Sequence, residues 1–368
     1  MPFYRTTIAI LVCLSILGLI GACVRGEAIP TRESISATAL PTYTPITQSP
    51  TSPSPTPTPA SVLGSVWNTR APLPEPNSET AVTQLDNKIY VLGGYPSTRK
   101  SVVTVQVYDT SEDRWELAAP LPMPINHAMA AAFDGKVYVI GGQARAGGRG
   151  PFLDTVFEYD PATDEWTPRA PMPTKRSSGA TAVIDSKIYV AGGRPPQGHD
   201  FAVYDPPKDL WTILPELPTQ RNHLSAAVIA GKMYVAGGRF GAGFRSELTG
   251  ALEVYDPVTN TWTALTPMPK PRGGVNSIAV NGCLHVFGGE GSAKDPNGVF
   301  PDHDVYNPLT DTWQSLGPMP VPVHGVTGAA LIDGWIHLPG GGTSQGGSSG
   351  SSIHQVYRAK VECHKAGS

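Results

Sequence analysis

A pair of adjacent glycines returns six times along this chain, at Gly93-Gly94, Gly141-Gly142, Gly192-Gly193, Gly237-Gly238, Gly288-Gly289 and Gly340-Gly341. The spacing is about 50 residues, which is the period of a repeat architecture rather than of one continuous core. Other marks keep the same register. Leu-Pro or Met-Pro precedes each copy: Leu73-Pro74, Leu121-Pro122, Met172-Pro173, Leu217-Pro218, Met268-Pro269 and Met319-Pro320. A tyrosine follows each glycine pair, at Tyr108, Tyr159, Tyr204, Tyr255, Tyr306 and Tyr357. Tryptophan comes seven residues after the first five tyrosines, at Trp115, Trp166, Trp211, Trp262 and Trp313.

Each copy reads as four short strands. Two apolar runs flank a two-residue turn such as Asp134-Gly135, Asn281-Gly282 or Asp333-Gly334, residues that tolerate the positive φ of a type I′ hairpin. The glycine pair ends the second strand, the third carries the tyrosine and the tryptophan opens the fourth. Four antiparallel strands make a blade, and six blades make a closed, all-β propeller. The pattern resembles the kelch repeat from about Ser65 to Cys363. The last copy has His364 where tryptophan would fall. An orphan strand, Val66-Trp67-Asn68-Thr69, precedes the first copy and is expected to complete the sixth blade and close the ring.

Residues 1–23 form a targeting signal, with Arg5 before an apolar run, Ile8 to Ile20, too short for a comfortable membrane span. Its end, Leu19-Ile20-Gly21-Ala22-Cys23, resembles a bacterial lipobox, which implies lipidation at Cys23; an ordinary cleaved signal or an uncleaved anchor are the alternatives. All three place the domain outside the cytoplasm. Residues 24–64, rich in Pro, Thr and Ser, read as an extended linker. The propeller then occupies residues 65–368. With 15% charged residues and a net charge of −3, no bulk field draws the chain to nucleic acid. Cys283 and Cys363 belong on one face of adjacent blades, either as a disulfide in an oxidising compartment or as two thiols.

Strand direction puts the loop after each glycine pair and the loop after each Pro step on one face, around the channel mouth. Sixteen residues before the glycine pairs stand Asn77, Ile125, Arg176, Arg221, Arg272 and His324; two further along come Glu79, His127, Ser178, His223, Gly274 and Val326. Just after the pairs come Tyr95, Gln143, Arg194, Arg239, Glu290 and Gly342. Arg176, Arg194, Arg221, Arg239 and Arg272, with His127, His223 and His324, therefore gather at one rim, where guanidinium groups suit an acidic sugar or an acidic protein segment. Glu79 and Glu290 are the candidate general bases, and ordinary salt-bridge partners if there is no chemistry.

Other chemistry is thin. The loop Asp295 to Asp304 offers oxygen ligands without the spacing of a calcium loop. The run Gly340 to Ser352 reads as a flexible insertion and lacks a phosphate-loop ending. The domain cysteines lie on the face away from the mouth, against a copper-oxidase site. No metal and no cofactor is expected. The expectation is a monomeric, extracytoplasmic binding module, membrane-anchored or secreted, with an anionic ligand at the mouth. The alternative is a mutarotase or epimerase on an acidic sugar such as sialic acid, and a third reading is a surface protein that only mediates assembly.

Overall fold

Every copy folds as the alternation of its apolar runs requires. Blade four shows the plan: Ser225–Ile229, Lys232–Ala236, Leu252–Asp256 and Thr261–Leu265 pair antiparallel in that order. The second strand is apolar on both faces because a blade is wedged between two others. Met233 and Val235 pack on one side, and Tyr234 and Ala236 on the other. The turn residues have the left-handed backbone expected of them, as at Asn281 (φ 51°) and Gly282 (φ 76°). The computed structural model describes residues 66–145, 150–292 and 294–363. The signal-like segment with Cys23, the Pro-rich segment and His364 lie outside them. Among the described residues no helix is long and apolar enough to cross a membrane.

The sixth sheet is closed by Val66–Thr69, in the order Val66–Thr69, His354–Arg358, Trp335–Pro339, Ala330–Ile332. Trp67 faces Tyr357 in the register by which Trp115 faces Tyr108 and Trp262 faces Tyr255. The amino-terminal strand thus supplies the sixth tryptophan of the repeat.

Tyrosine and tryptophan clasp one blade to the one before. The indole N–H groups of Trp115, Trp166, Trp211 and Trp313 donate to the carbonyls of Ala71, Ala119, Ala170 and Thr266 at 2.8–2.9 Å. The N–H groups of those same four residues donate to Asp113, Asp164, Asp209 and Asp311, which also accept the tyrosine hydroxyl of their own blade. Blade four's partner is Pro215, which has no N–H to give, and there the carboxylate is replaced by Asn260. At blade six Trp67 keeps the place, but its indole N–H has no partner among the described residues. Cys363 instead forms a disulfide with Cys283 of blade five, across 80 positions of sequence.

A second ring runs around the channel, made of backbone alone. The N–H of His127 donates to the carbonyl of Glu79, Ser178 to His127, His223 to Ser178, Gly274 to His223, Gly325 to Gly274, and Thr80 to Gly325, at 2.8–3.2 Å. Six residues in left-handed conformation make it: Glu79, His127, Ser178, His223, Gly274 and Gly325, with φ from 50° to 68°. Blade six departs from the expected register here. Gly325, and not Val326, completes the ring. Val323, and not His324, accepts from Gly289 as Arg272 accepts from Gly238. Blade six is one residue longer between the ring residue and the glycine pair, which moves His324 one place inward.

Trp67 packs against Tyr357, Phe287 and His303, with ring centroids 4.9–6.1 Å away. Trp67→Ala is expected to cost about 2–4 kcal/mol in urea unfolding. Leu210→Ala, on an outer strand and 58% exposed, is the control and should leave the midpoint in place.

Candidate functional site

The left-handed ring aims its side chains at the channel mouth, and the loops after the glycine pairs meet them there. Seven ionisable side chains close a circuit drawn from all six blades. Glu79 Oε2 lies 3.0 Å from His127 Nε2. Arg194 reaches His127 Nε2 at 3.1 Å and His223 Nε2 at 3.4 Å. Arg239 reaches His223 Nε2 at 2.6 Å and forms a short ion pair with Glu290. His324 Nδ1 stands 3.7 Å from Glu290 and 3.9 Å from Glu79. All seven are buried, none more than 5% exposed.

Two of the histidines are held alike. Asn126 and Asn222 each use the amide NH2 to bond loop carbonyls, those of Gln143 and Arg145 and those of Arg239 and Gly241. That fixes the amide oxygens, which accept from Nδ1–H of His127 and His223 at 2.5 Å. The Nε2 atom of His223 is left as a lone-pair acceptor facing both guanidinium groups, whereas Nε2 of His127 lies between Arg194 and the Glu79 carboxylate. Burial pushes both imidazoles below their ordinary pKa, His223 well below, with Arg239 and Arg194 adding to the effect there. Burial alone would raise the carboxyl of Glu79, but His127, His324 and Arg239 outweigh it and keep the group ionised below the usual carboxylate range.

Glu79, His127 and His223 offer ligand atoms within 4.8 Å of one another, the spacing of a metal site. The donor set does not suit a cation. The imidazole nitrogens face guanidinium N–H groups, and two arginines stand where the ion's charge would be repelled.

The mouth is covered. The loop after Gly238 places the Ala242 carbonyl on Arg194 in a short hydrogen bond. The loop after Gly341 places the Ser344 carbonyl on His324 Nε2 at 2.7 Å and the Gly346 N–H on Glu290 Oε2 at 2.8 Å. The two loops are fastened by Gln345, whose side chain donates to the Phe244 carbonyl and whose N–H donates to Asn297. The run Gly340 to Ser352, expected to be a flexible insertion, is therefore an ordered cover. Its glycines allow close approach: a Cβ at Gly347 would enter the ring of Tyr95, and one at Gly342 the ring of His324. Behind the site the channel widens into a cavity of about 460 Å³, lined by small and uncharged residues such as Thr83, Ala130, Thr181, Ala226 and Ser277.

The sequence register set five arginines at the rim, and the structure brings two of them to it. Arg194 and Arg239 face the mouth. Arg221 turns into blade four, bonding Glu253 at 2.5 Å and the carbonyls of Gly237, Thr219 and Val235. Arg272 turns into blade five, toward Asp304 at 2.7 Å and the carbonyl of Gly288. Arg176 turns into blade three, onto the carbonyls of Val190 and Asp200. In the Asp295 to Asp304 loop, Asp302 and Asp304 are taken by Lys270 and Arg272 and form no oxygen cluster.

Comparison with known proteins accords with this geometry. The model of the KLHDC2/KLHL20/DRC7 Kelch-repeats domain matches residues 64–216 and 171–342. The chain is 34% identical to Kelch-like protein terF of Aspergillus terreus over 198 residues, 51% of this chain and 43% of that one. It is 29% identical to Kelch-like protein 25 of Rattus norvegicus over 276 residues, 73% of this chain and 45% of that one. The chain thus spans less than half the length of these relatives. The solved structure of YjhT superposes with a TM-score of 0.65 at 19% identity, covering 78% of this chain and 96% of that chain, and shares the fold.

Arg221→Ala would leave Glu253 buried without its cation, with the Thr219 hydroxyl as its remaining partner. The expected loss is about 3–5 kcal/mol of stability in chemical denaturation. Arg239→Ala should cost less, because Glu290 keeps both the Gly346 N–H and His324 at 3.7 Å.

Proposed function

We propose, for a chain that belongs to the kelch-repeat family, that it serves as an extracytoplasmic interaction module whose partner sets an anionic group on Arg194 at the covered mouth. One observation carries the reading. Arg194 is a buried guanidinium that makes no ion pair among the described residues. Its partners are two neutral imidazoles and a loop carbonyl, and its Nε has none. Burial lowers its pKa to about 10. A buried cation with only neutral partners is costly, and a carboxylate in place of the Ala242 carbonyl would form the stronger, charge-assisted bond. Arg239 already has Glu290, and Arg221 and Arg272 have acids of their own.

The cover argues for the class of ligand. Positions on Arg194, His324 and Glu290 are held by two peptide carbonyls and one peptide N–H of the chain's own loops. An acidic protein segment offers the same groups together with the carboxylate. The sugar-isomerising alternative is not favoured, because neither acid is free to act as a base: Glu79 is engaged by His127, and Glu290 by Arg239 and the Gly346 N–H. The location rests on the signal-like segment ending at Cys23, through which a lipid would anchor the chain, and is supported by the Cys283–Cys363 disulfide, a bond suited to an oxidising compartment.

A thermal-shift screen of the full chain tests this, with a library of Asp- and Glu-bearing peptides, their Asn and Gln counterparts, and free sialic acid. Acidic peptides should raise Tm by mass action, and Arg194→Gln should abolish the rise with the starting Tm little changed. A rise from the amide counterparts that Arg194→Gln leaves intact would overturn the assignment of Arg194, and a response to sialic acid alone would overturn the protein partner.

A further inference from the structure

Two pairs of imidazoles that the mouth does not use stand on either side of the closing blade. In blade five His285 Nδ1 lies 2.9 Å from His303 Nε2, and in blade six His337 Nδ1 lies 3.0 Å from His354 Nε2. The pairs are equivalent by register: the third residue of the second strand and the first residue of the third strand. In blades one to four the same positions hold Tyr90 and Val105, Tyr138 and Val156, Tyr189 and Phe201, and Tyr234 and Leu252. Aromatic-on-apolar packing is thus replaced by imidazole-on-imidazole only at the two blades that complete the ring.

The pairs face the two interfaces of blade six. His303 stacks on Phe287 at 4.0 Å and meets Tyr357 at 4.6 Å and Trp67 of the closing strand at 6.1 Å. His354 meets Tyr108 at 4.6 Å and Trp115 at 5.5 Å, both of blade one. The charges acting on the first pair come from Arg272; those acting on the second come from Arg70 and Asp113, beside the phenol of Tyr108. His285 Nε2, His303 Nδ1 and His354 Nδ1 have no hydrogen-bond partner among the described residues; an added proton would find no acceptor on the first pair, and on the second only the Ala71 backbone. Two imidazolium groups 3 Å apart in an apolar setting repel strongly.

We propose that the two pairs make blade six an acid-released seam: protonation forces each pair apart, loosens both interfaces and frees the closing strand Val66–Thr69, while the Cys283–Cys363 bond keeps blade six tied to blade five.

The linkage has the required sign. Burial pushes His285 and His337 down to about 4 and His354 to about 3. An opened histidine titrates near 6.5. The open form therefore binds more protons, and the stability from neutral pairs is complete above pH 6.5 and lost as pH falls through about 4. At pH 4 each titrating histidine shifts the equilibrium toward opening by roughly a hundredfold.

Hydrogen exchange of the full chain at pH 7 and pH 4.5, corrected for the intrinsic pH dependence, tests the seam. Opening of Val66–Thr69 and His354–Arg358 should rise at least about tenfold in acid, while the central strands of blades two and three keep their protection. The variants His285→Tyr/His303→Val and His337→Tyr/His354→Val install residues of the kind the chain uses in its other blades, and each should remove most of that rise. Uniform loosening of all six blades, or an undiminished rise in both variants, would overturn the proposal. If a double variant does not fold, the single changes His303→Phe and His354→Phe, which keep an aromatic ring and remove one imidazole and with it the repulsion within the pair, decide by the same readout: each should lessen the rise.

Discussion

The structure depends on a circle of backbone hydrogen bonds around the channel. In blades two to six each link is one residue in left-handed conformation that donates to the preceding blade and accepts from the next; in blade one Glu79 accepts and its neighbour Thr80 donates. Only such a residue turns the chain sharply enough to leave its carbonyl and N–H on opposite sides of the blade. Glycine adopts that conformation freely, and blades five and six use Gly274 and Gly325. Glu79, His127, Ser178 and His223 adopt it at a cost of about 1–2 kcal/mol each. Strain of this kind gathers where a side chain must be aimed. Three of those four side chains belong to the ionisable circuit of the mouth. Closure of the ring and placement of the site are therefore one arrangement.

Blade six collects the departures from the repeat. It is built from both ends of the domain, its tryptophan comes from the amino-terminal strand, and the indole N–H of that tryptophan has no partner among the described residues. A disulfide ties this blade to blade five. One residue more before its glycine pair draws His324 into the mouth, and the long loop after that pair forms much of the cover. A blade assembled from two distant segments has the highest entropic cost of closure, and it is where a covalent bond between blades contributes most. It is also the place where a reversible opening would disturb the other five blades least.

How much of this was legible in the sequence depended on whether backbone or side-chain reach decided the outcome. The glycine pairs, the Asp-Gly and Asn-Gly turns and the Tyr-to-Trp spacing are backbone statements, and they place all six blades and the orphan strand. Register located the Cα atoms of Arg176, Arg221 and Arg272 at the rim, but an arginine reaches well beyond its Cα, and all three turn inward. The signal that sets Arg221 and Arg272 apart from Arg194 and Arg239 was present, whereas Arg176 carried none, since the second residue of its blade's third strand is Ala202. The second residue of the third strand is polar in blades one, four, five and six: Gln106, Glu253, Asp304 and Gln355. Each reads the loop before its own first strand, Gln106 at Glu75, Glu253 at Arg221, Asp304 at Arg272 and Gln355 at Val321. An acid in the middle of a buried strand has to be paired, and in blades four and five the nearest basic residue is the rim arginine of the same blade. The cover was illegible for the opposite reason. A Gly/Ser run offers no apolar surface from which order can be read, and here it orders through peptide groups on charged side chains.

The same distinction bears on what the mouth can recognise. Counted as formal charges, the two arginines and two glutamates of the circuit balance, so they exert little net field at a distance. Selectivity has to come from contact. Arg239 and Glu290 neutralise each other directly, whereas Glu79 is turned to His127 and His324 and leaves Arg194 facing neutral atoms. The imbalance is local, a buried cation on one side of the mouth and an imidazole-bound carboxylate on the other. A ligand with a single acidic group can correct it only by entering at Arg194, and to enter there it must lift the Ala242 carbonyl. The Ala242 loop is fastened to the second loop through Gln345, so lifting one loosens the other and uncovers His324 and Glu290 as well. Entry of the acidic group and exposure of the remaining polar contacts are coupled, and recognition at this mouth would be all-or-none rather than graded along the rim.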